Sequence, residues 1–261
     1  MKRKIIVIVL LSVVIQVFSS CSSMYIASVK NIPLFDKKNE GQIEAGISTN
    51  SIYATGSYAV TDEYALAVNG SLSYGNFSDR YDIFTKKNAP YPSGFFTIAP
   101  PKGDFNHKYI EASFGKYNLL FPQKISSRMK LEVFAGCGYG IVDDILEYVG
   151  TGLWNINYYT PFVQCNFGTR YRYLDAGVAM RTAYSFFDYT YTNNEYPNEN
   201  EHYKFNTIHL EPLFRVGLGR GKLKLNFRLG FNFRWILDKE IAAKDFFNTP
   251  MHLSIGAGYR F

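Results

Sequence analysis

Residues 222–235 read KLKLNFRLGFNFRW, and residues 251–261 read MHLSIGAGYRF. In both stretches the odd positions are apolar or aromatic, and the even positions are charged, polar or glycine. A period of two places alternate side chains on opposite faces of a β-strand. The pattern therefore predicts two strands, each with one oily face and one wet face along its length. A soluble β-sandwich would show the same alternation, so the rest of the chain must decide between a soluble sandwich and a membrane barrel.

The start of the chain has the layout of an export signal. Three basic residues at positions 2–4 precede an apolar run over 5–18, which is too short for a spanning helix. Phe18-Ser19-Ser20-Cys21 then resembles the bacterial lipobox. This resemblance implies a lipoprotein signal peptide over 1–20, a palmitate-type acyl group on Cys21, and a lipidated periplasmic tether over 21–40. The alternative is an ordinary signal peptide with an incidental cysteine after the cut.

Composition favours a membrane barrel over 41–261. Aromatic residues make up 17% of the 261 residues, with 21 Tyr and 22 Phe, as expected where rings collect at two membrane interfaces. No apolar run in the chain is long enough for a spanning helix. A closed barrel is then the structure that satisfies every backbone hydrogen-bonding group in a bilayer. Removing the three basic residues of the signal lowers the net charge from +6 to +3, so composition gives no case for nucleic acid.

The predicted fold class is all-β, a transmembrane antiparallel up-and-down β-barrel of about ten strands, with eight or twelve as alternatives. Short links at 61–63, 172–173 and 219–221 alternate with long links at 76–107, 141–156, 188–204 and 237–249. Bacterial barrels have this asymmetry, with short periplasmic turns and long outer loops. Pro212 falls inside a predicted strand, where it removes a ladder donor, so we expect a local bulge there. The ten expected strands are 41–49, 52–60, 64–75, 108–118, 128–141, 157–171, 174–187, 205–218, 222–236 and 250–261.

The polar positions that alternate along these strands are predicted to line the inside of the barrel. Lys and Arg outnumber acids nine to four on this face, so the expected lumen is net positive. One interpretation is an interior packed with polar side chains, since barrels of about eight strands are filled in this way. The other is a narrow anion-preferring pore or an anion-binding barrel. We expect the candidate lumen or ligand residues to be Arg181, Glu211, Arg215, Arg228 and Arg234. The full predicted inward set is Glu44, Glu111, Lys130, Glu132, Arg170, Arg181, Glu211, Arg215, Lys222, Lys224, Arg228, Arg234 and Arg260, with His209 and His252.

Two resemblances bear on location. Ser254, Gly256, Tyr259 and Phe261 match the pattern with which outer-membrane barrels present their last strand to the barrel-assembly machinery. The segments at 21–25 (CSSMY) and 31–35 (NIPLF) make the chain similar to lipid-anchored, porin-like outer-membrane barrels of Bacteroidota. The resemblance implies a Gram-negative outer-membrane location, with lipoprotein-processing enzymes and the assembly machinery as partners. Members of that group are mostly uncharacterised, so it implies no activity.

No cofactor, metal site or catalytic residue is predicted. The chain lacks a Cys-x-x-Cys motif and its four His are scattered. Cys137 and Cys165 are expected to be wall residues, with a disulfide between them as the alternative.

Two families of barrel enzyme have catalytic residues with which this chain can be compared. Omptin proteases place acidic pairs and an acid–His pair at the rim, and the nearest equivalents here are Asp79, Asp82, Asp143, Asp144, Asp188 and His202. A lipid-modifying barrel would need a Ser/His arrangement, for which Ser185 and His202 are the nearest pair. Neither set has the spacing that a nucleophile and its base require. The aromatic-rich link 76–107 is predicted either to bind a surface ligand or to cork the barrel mouth.

Overall fold

The computed structural model describes residues 29–48, 51–76, 103–118, 129–146, 152–193, 200–237 and 251–261. Each strand is paired with antiparallel neighbours, as the alternating patterns predict. Among the described residues no helix is long and apolar enough to cross a membrane. The strands are β1 (Gly41–Ser48), β2 (Ile52–Ala59), β3 (Tyr64–Asn76), β4 (Gly103–Lys116), β5 (Met129–Leu146), β6 (Gly152–Arg170), β7 (Leu174–Asn193), β8 (Glu201–Leu218), β9 (Leu223–Phe231), β10 (Phe233–Ile236) and β11 (Met251–Arg260).

The sheet closes on itself into a barrel of ten wall strands. Neighbours follow chain order from β1 to β8, and β1 also pairs with β11. β11 pairs with β9, while β8 pairs with both β9 and β10. Since β9 and β10 are consecutive parts of one wall strand, the expected all-β barrel of ten strands is confirmed. Gly41 and Phe261 exchange two backbone hydrogen bonds of 3.0 Å, which join the first strand to the last.

The expected bulge at Pro212 is wrong. Leu213 pairs with Gly230 and Leu210 pairs with Phe233, so both strands advance by three residues between these pairs. No extra residue is inserted. The missing proline N–H instead interrupts the ladder for two residues without changing the register, and β9 gives way to β10 at Asn232, opposite this gap.

The two faces of the wall differ sharply in chemistry. Along β9, Leu223 is 60% exposed whereas the adjacent Lys224 is only 9% exposed. The same contrast recurs around the ring, with Ile, Leu, Val, Met and Phe facing outward and Glu, Arg, Asn and Ser buried inside. A soluble domain buries its apolar face, so this is an inside-out arrangement.

Outward-facing aromatic rings form a girdle near each end of the barrel. Tyr171 and Tyr159 belong to opposite girdles and are twelve residues apart, which on a tilted strand is about 30 Å. This separation fits the hydrocarbon thickness of a bilayer. The girdle at the short-turn end contains Tyr58, Tyr64, Tyr171, Tyr173, Tyr259 and Phe261, and the girdle at the far end contains Tyr159, Phe186, Phe233 and Trp235.

Two of the expected long links are largely strand. The predicted links 141–156 and 188–204 leave only 147–151 and 194–200 between strands. Cross-strand ring pairs stabilise the added pairing. Tyr189 stacks on Tyr203 with centroids 5.9 Å apart, and Phe187 stacks on Phe205 at 5.0 Å. The strands therefore extend past the far girdle, while 77–102 and 238–250 lie outside the described residues.

Candidate functional site in the barrel interior

Residues 29–36, here called the plug, lie inside the barrel at its short-turn end. They form no regular secondary structure, and 29–35 are buried, with Ile32 and Lys30 completely so. They belong to the range 21–40 that the sequence predicts to be a tether, of which the structure describes 29–40. Cys21 and the signal range 1–20 lie outside the described residues, so the boundary at Cys21 stays a prediction.

Wall arginines hold the plug by its backbone. The carbonyl oxygens of residues 32–34 accept hydrogen bonds from Arg215, Arg260 and Arg170 in that order, the last two at 2.8 and 2.9 Å. Charge-assisted hydrogen bonds of this kind are about twice as strong as neutral ones. Leu34 has a φ of 54°, a left-handed conformation that leucine rarely adopts. The surrounding contacts therefore impose this conformation.

Two residues near the start of the plug, Lys30 and Asn31, contact the middle of the wall. Lys30 forms an ion pair of 3.0 Å with Glu211, and both side chains are fully buried. Gln164 donates a hydrogen bond of 2.8 Å to the carbonyl of Asn31. Ile32 packs with Leu213 in a small apolar cluster on the same side. Burying a charged pair is tolerated only when both members are held, so this end of the plug has a defined position.

The lower end of the plug closes the short-turn mouth. The backbone N–H of Phe35 donates to Glu132 at 2.7 Å, and the Phe35 ring packs on Tyr117 with centroids 5.5 Å apart. Asp36 forms ion pairs with Lys130 at 2.6 Å and Arg170 at 2.7 Å. Tyr117 follows β4 in the turn, where burial raises the pKa of its hydroxyl to about 12, so it stays a proton donor at neutral pH.

An ion pair that we call the long brace crosses the lumen above the plug. Arg181 on β7 holds both carboxylate oxygens of Glu111 on β4 at 2.7 Å, with β5 and β6 between them. Tyr109 donates to the same carboxylate at 2.8 Å, and Asn69 also donates to it. The guanidinium lies 4.0 Å from the centroid of the Phe162 ring. This brace fixes the distance between opposite parts of the wall.

A second pair, the short brace, has the same design on the other side. Arg228 on β9 binds both carboxylate oxygens of Glu44 on β1, and only β11 lies between the two strands. Tyr53 donates to this carboxylate at 2.9 Å and Asn226 at 2.7 Å. Arg215 donates to Asn226 at 2.9 and 3.1 Å, which links the short brace to the plug.

Stacked aromatic rings line the lumen beyond the long brace. Tyr109, Tyr158, Phe187 and Phe205 stack in sequence with centroids 6.0, 5.1 and 5.0 Å apart. His107 hydrogen-bonds to Tyr158 at 2.7 Å. On β5, glycines at 138 and 140 face these rings, and a Cβ at either position would lie within 2.1 Å of a tyrosine side-chain atom. The glycines therefore allow the rings to lie flat against the wall.

The fully buried charges of the interior are equal in number. Among the described residues, six Lys or Arg and six Asp or Glu are buried. Arg170, Arg234 and Arg260 are half-buried and raise the inward bases to nine, so the interior leans positive, as the strand pattern predicts. Glu40 lies between the plug and β1, and it is shared by Arg170 at 2.8 Å and Arg260 at 3.5 Å. Most of the inward bases thus contact an acid of the wall or the plug.

Four of the five predicted lumen residues take part in the contacts described above. Arg181, Glu211, Arg215 and Arg228 take part in the braces or hold the plug. Arg234 is half-buried on β10, where it pairs in register with His209. In contrast, Lys222, which the parity places inward, is exposed in the turn before β9 and lies 5.9 Å from the centroid of the Tyr259 ring. The turn rotates it off the strand pattern.

The other predicted residues divide between wall and rim. Cys137 pairs with Pro161 and Cys165 with Val133, so the two cysteines are not opposite each other and both are free. Ser254 and Gly256 face inward on β11, while Tyr259 and Phe261 face outward with centroids 6.4 Å apart. Their role in assembly stays a prediction. At the rim, His202 hydrogen-bonds to Asp188 at 2.7 Å, and both are exposed.

The remaining rim residues do not extend this pair. Asp143 accepts a hydrogen bond of 2.7 Å from Asn155. Ser185 is buried and hydrogen-bonds to Thr160 at 2.9 Å. Asp79 and Asp82 lie outside the described residues, and of Asp144 only the backbone is described. Among the rim residues compared with those of barrel enzymes, the structure therefore brings together one acid–His pair.

The plug is the element that sequence reasoning missed. Its signal is the stretch Ile32-Pro33-Leu34-Phe35, which is too apolar for a solvated tether. Pattern analysis overlooked it because four residues around a proline have no strand or helix period. A closed barrel with an oily outer face, a polar filled interior and two aromatic girdles has the architecture of an outer-membrane β-barrel.

Comparison with known proteins finds distant barrels and no family. No family model and no curated protein matches the sequence. The outer membrane protease OmpT from Escherichia coli is similar to this chain with a TM-score of 0.47 and 9% identity, covering 86% of this chain and 94% of that one. The translocator domain of the autotransporter NalP from Neisseria meningitidis gives a TM-score of 0.45 and 9% identity, covering 85% and 87%. No inference about activity follows from likenesses this distant.

Proposed function

We propose that the chain is a sealed outer-membrane barrel, whose pore is closed by its own N-terminal plug and whose function lies at its surfaces. The observation that supports this most directly is the anchoring of three successive plug carbonyls by Arg215, Arg260 and Arg170. Backbone anchoring fixes the path of the segment whatever its side chains do. The ion pair of Lys30 with Glu211 fixes it at a second level.

Several layers together account for the seal. Apolar and acidic plug residues close the short-turn mouth, the long brace crosses the middle, and stacked rings narrow the level beyond it. Water and ions need a continuous polar path to cross a barrel. Closely packed side chains at three successive levels interrupt such a path, and ten strands enclose only a little more space than the eight that side chains alone can fill.

Planar-bilayer conductance tests the seal. We expect the full-length protein to be silent, and a variant with residues 29–36 replaced by a Gly/Ser sequence of equal length to conduct. The matched control replaces the exposed Lys37 and Lys38 by Ser and should stay silent. Stable channels from the unmodified protein would contradict the proposal. A silent plug variant would show that the wall side chains close the lumen without the plug.

A narrow anion-preferring pore is the alternative use of this interior. It would use the positive charge that half-buried Arg170, Arg234 and Arg260 add to the six buried bases and six buried acids. The same bilayer experiment distinguishes the two, because an anion-selective current from the unmodified protein would shift the reversal potential in a chloride gradient. Absence of current from the unmodified protein favours the sealed barrel.

The lipid anchor and location belong to this proposal. We expect Cys21 to carry the acyl group and the barrel to sit in the cell outer membrane, inserted by the barrel-assembly machinery through the 254–261 signal. Labelling with a palmitate analogue, with Cys21→Ser as the comparison, tests the anchor. A barrel in detergent should also migrate differently on gels before and after boiling, and unchanged migration would contradict the embedded fold.

The surface function is proposed for the long links at the far end. The aromatic-rich link 76–107 is the candidate for a surface ligand, and its central part, 77–102, lies outside the described residues. Protease treatment of intact cells should cut within 77–102 if the link is displayed. A link that is never cut would favour the cork interpretation instead.

No reaction is part of the proposal. The exposed contact of Asp188 with His202 joins β7 to β8, and Lys204 lies 3.4 Å from the same carboxylate. A contact of this kind stabilises the protruding strands without any catalytic role. Peptide-cleavage and lipid-deacylation assays on the purified protein test this, and turnover that is lost in Asp188→Ala and His202→Ala would establish an enzyme.

A further inference from the structure

A basic cleft opens at the short-turn end, between the turns that join β6 to β7 and β8 to β9. The two turns touch, since the N–H of Gly219 donates to the carbonyl of Tyr173 at 3.1 Å. Gly221 makes the tight reversal possible with a φ of 71°. The cleft has a volume of about 300 Å³, and its lining includes the five basic residues Arg170, Arg172, Lys222, Lys224 and Arg260.

Bases outnumber acids in this cleft. Two acids, Asp36 and Asp175, also line it. Asp36 is compensated by Arg170 at 2.7 Å, and Asp175 by Lys224 at 3.5 Å. Five bases and two acids leave a net charge of +3, and counting Glu40 behind Arg170 still leaves +2.

Two of the bases are available at the mouth of the cleft. Arg172 and Lys222 are exposed. Each lies over an aromatic ring, Arg172 at 5.3 Å from the Tyr173 centroid and Lys222 at 5.9 Å from the Tyr259 centroid. Both rings belong to the aromatic girdle at this end. Girdle rings mark the headgroup level of a bilayer, so the two cations lie where lipid phosphates are found.

We infer that this cleft binds the headgroup phosphate of an anionic phospholipid in the leaflet at the short-turn end. Arg172 offers a planar guanidinium that can take two phosphate oxygens, and Lys222 offers an ammonium donor beside it. Lys224 adds positive charge behind them, while its own ammonium donates to the carbonyls of Tyr171 and Arg172 at 3.3 Å. Basic pockets at the membrane surface bind anionic headgroups in this way. The inference rests on the membrane-embedded barrel of the proposed function, but not on the seal.

Native mass spectrometry of the full-length protein tests the inference. The protein is exchanged into detergent micelles containing equal amounts of phosphatidylglycerol and phosphatidylcholine, and retained lipid is measured. We expect preferential retention of phosphatidylglycerol, and about a tenfold loss of that preference in the double variant Arg172→Gln with Lys222→Gln. Arg220→Gln is the matched control, because Arg220 is exposed in the same turn but does not line the cleft.

Three outcomes would overturn the inference. Equal retention of the two lipids, an unchanged preference in the double variant, or an equal loss in Arg220→Gln would each show that the cleft does not select the headgroup. A further arm replaces lipid by inorganic phosphate and follows thermal unfolding. For each ligand, the rise in unfolding temperature of the unmodified protein is compared with that of the double variant. If inorganic phosphate gives as large a difference as phosphatidylglycerol, the site binds a free anion instead. A conducting barrel that still retains phosphatidylglycerol would contradict only the seal.

Discussion

The long and short braces have the same chemical design but differ in charge balance. In each brace, the two terminal guanidinium nitrogens of an arginine bind the two carboxylate oxygens of a glutamate. The same carboxylate also accepts hydrogen bonds from a tyrosine and an asparagine. Beside the long brace of Glu111 and Arg181, the second ion pair of Lys30 and Glu211 keeps acids and bases equal, and Glu211 lies 4.0 Å from Arg181. Beside the short brace, Arg215 adds a second base, and Asp175, the further acid that acts on Arg215, is itself paired with Lys224 at 3.5 Å. Equivalent contacts therefore differ in what remains when one member is removed.

The largest effect is expected from Glu44→Gln in the short brace. This substitution leaves two buried arginines near each other without an acid between them, and removing one member of a buried pair costs about 3–5 kcal/mol. We expect a loss in the free energy of unfolding at the upper end of that range, about 5 kcal/mol. Urea unfolding in lipid vesicles, followed by intrinsic fluorescence, measures it. Adding Arg228→Met should recover part of the loss, and no recovery would mean that excess charge is not the cause.

A smaller loss is expected from Glu111→Gln in the long brace. Glu211 remains within 4.0 Å of Arg181 and takes over part of the compensation. We expect a loss of about 3 kcal/mol in the same unfolding experiment. The comparison between the braces fails if this loss exceeds that of Glu44→Gln, because the strand span would then matter more than the charge balance.

Lys30→Met examines the pair that supplies the balance. The substitution leaves Glu211 buried with the guanidinium of Arg181 4.0 Å away, and the methionine fills similar space. We expect a loss of about 2 kcal/mol in the free energy of unfolding. Combining it with Glu111→Gln should cost more than either change alone, though less than their sum, because both act on Arg181. Full additivity would show that the two ion pairs are independent.

The smallest effect is expected from Lys116→Ala, outside the barrel interior. Its pair with Glu63 has the same short distance, 2.8 Å, but the two side chains are 44% and 59% exposed. Water and salt screen such pairs, so we expect no measurable change in the free energy of unfolding. Losses in the interior variants should also persist at high salt, whereas any loss in this variant should vanish. A change here as large as that of Lys30→Met would undermine the importance given to burial.

Which wall side chains face inward and which face outward was predictable, because this orientation follows from the local alternation of residues. Alternation in 222–235 and 251–261 correctly places Leu225 outward and Arg228 inward, since successive side chains of a strand point to opposite faces. Strand ends were less predictable. Tyr189 and Tyr203 extend β7 and β8 beyond the oily band, where the alternation that identified the strands has faded.

The partners of the inward charges were not predictable in the same way. Parity indicates that Glu111 and Arg181 share a lumen, but not that they meet across two intervening strands. That contact depends on the curvature and closure of the ring, which no local pattern records. The prediction that Lys222 faces inward is wrong for a local reason. The turn at Gly219 and Gly221 takes this residue out of the strand, so the alternation of inward and outward positions does not apply to it.

The sequence by itself determined an all-β chain with one oily and one polar face, ten strands and an inward set that includes Arg181, Arg215 and Arg228. Periodicity and composition carry that information because they act through neighbouring residues. Tertiary structure alone decided that the ring is filled from within by residues 29–36. A short irregular segment gains its position only from long-range contacts, such as Arg215 with the carbonyl of Ile32, 183 residues away in the chain. Such contacts exist only after the barrel has closed around the segment.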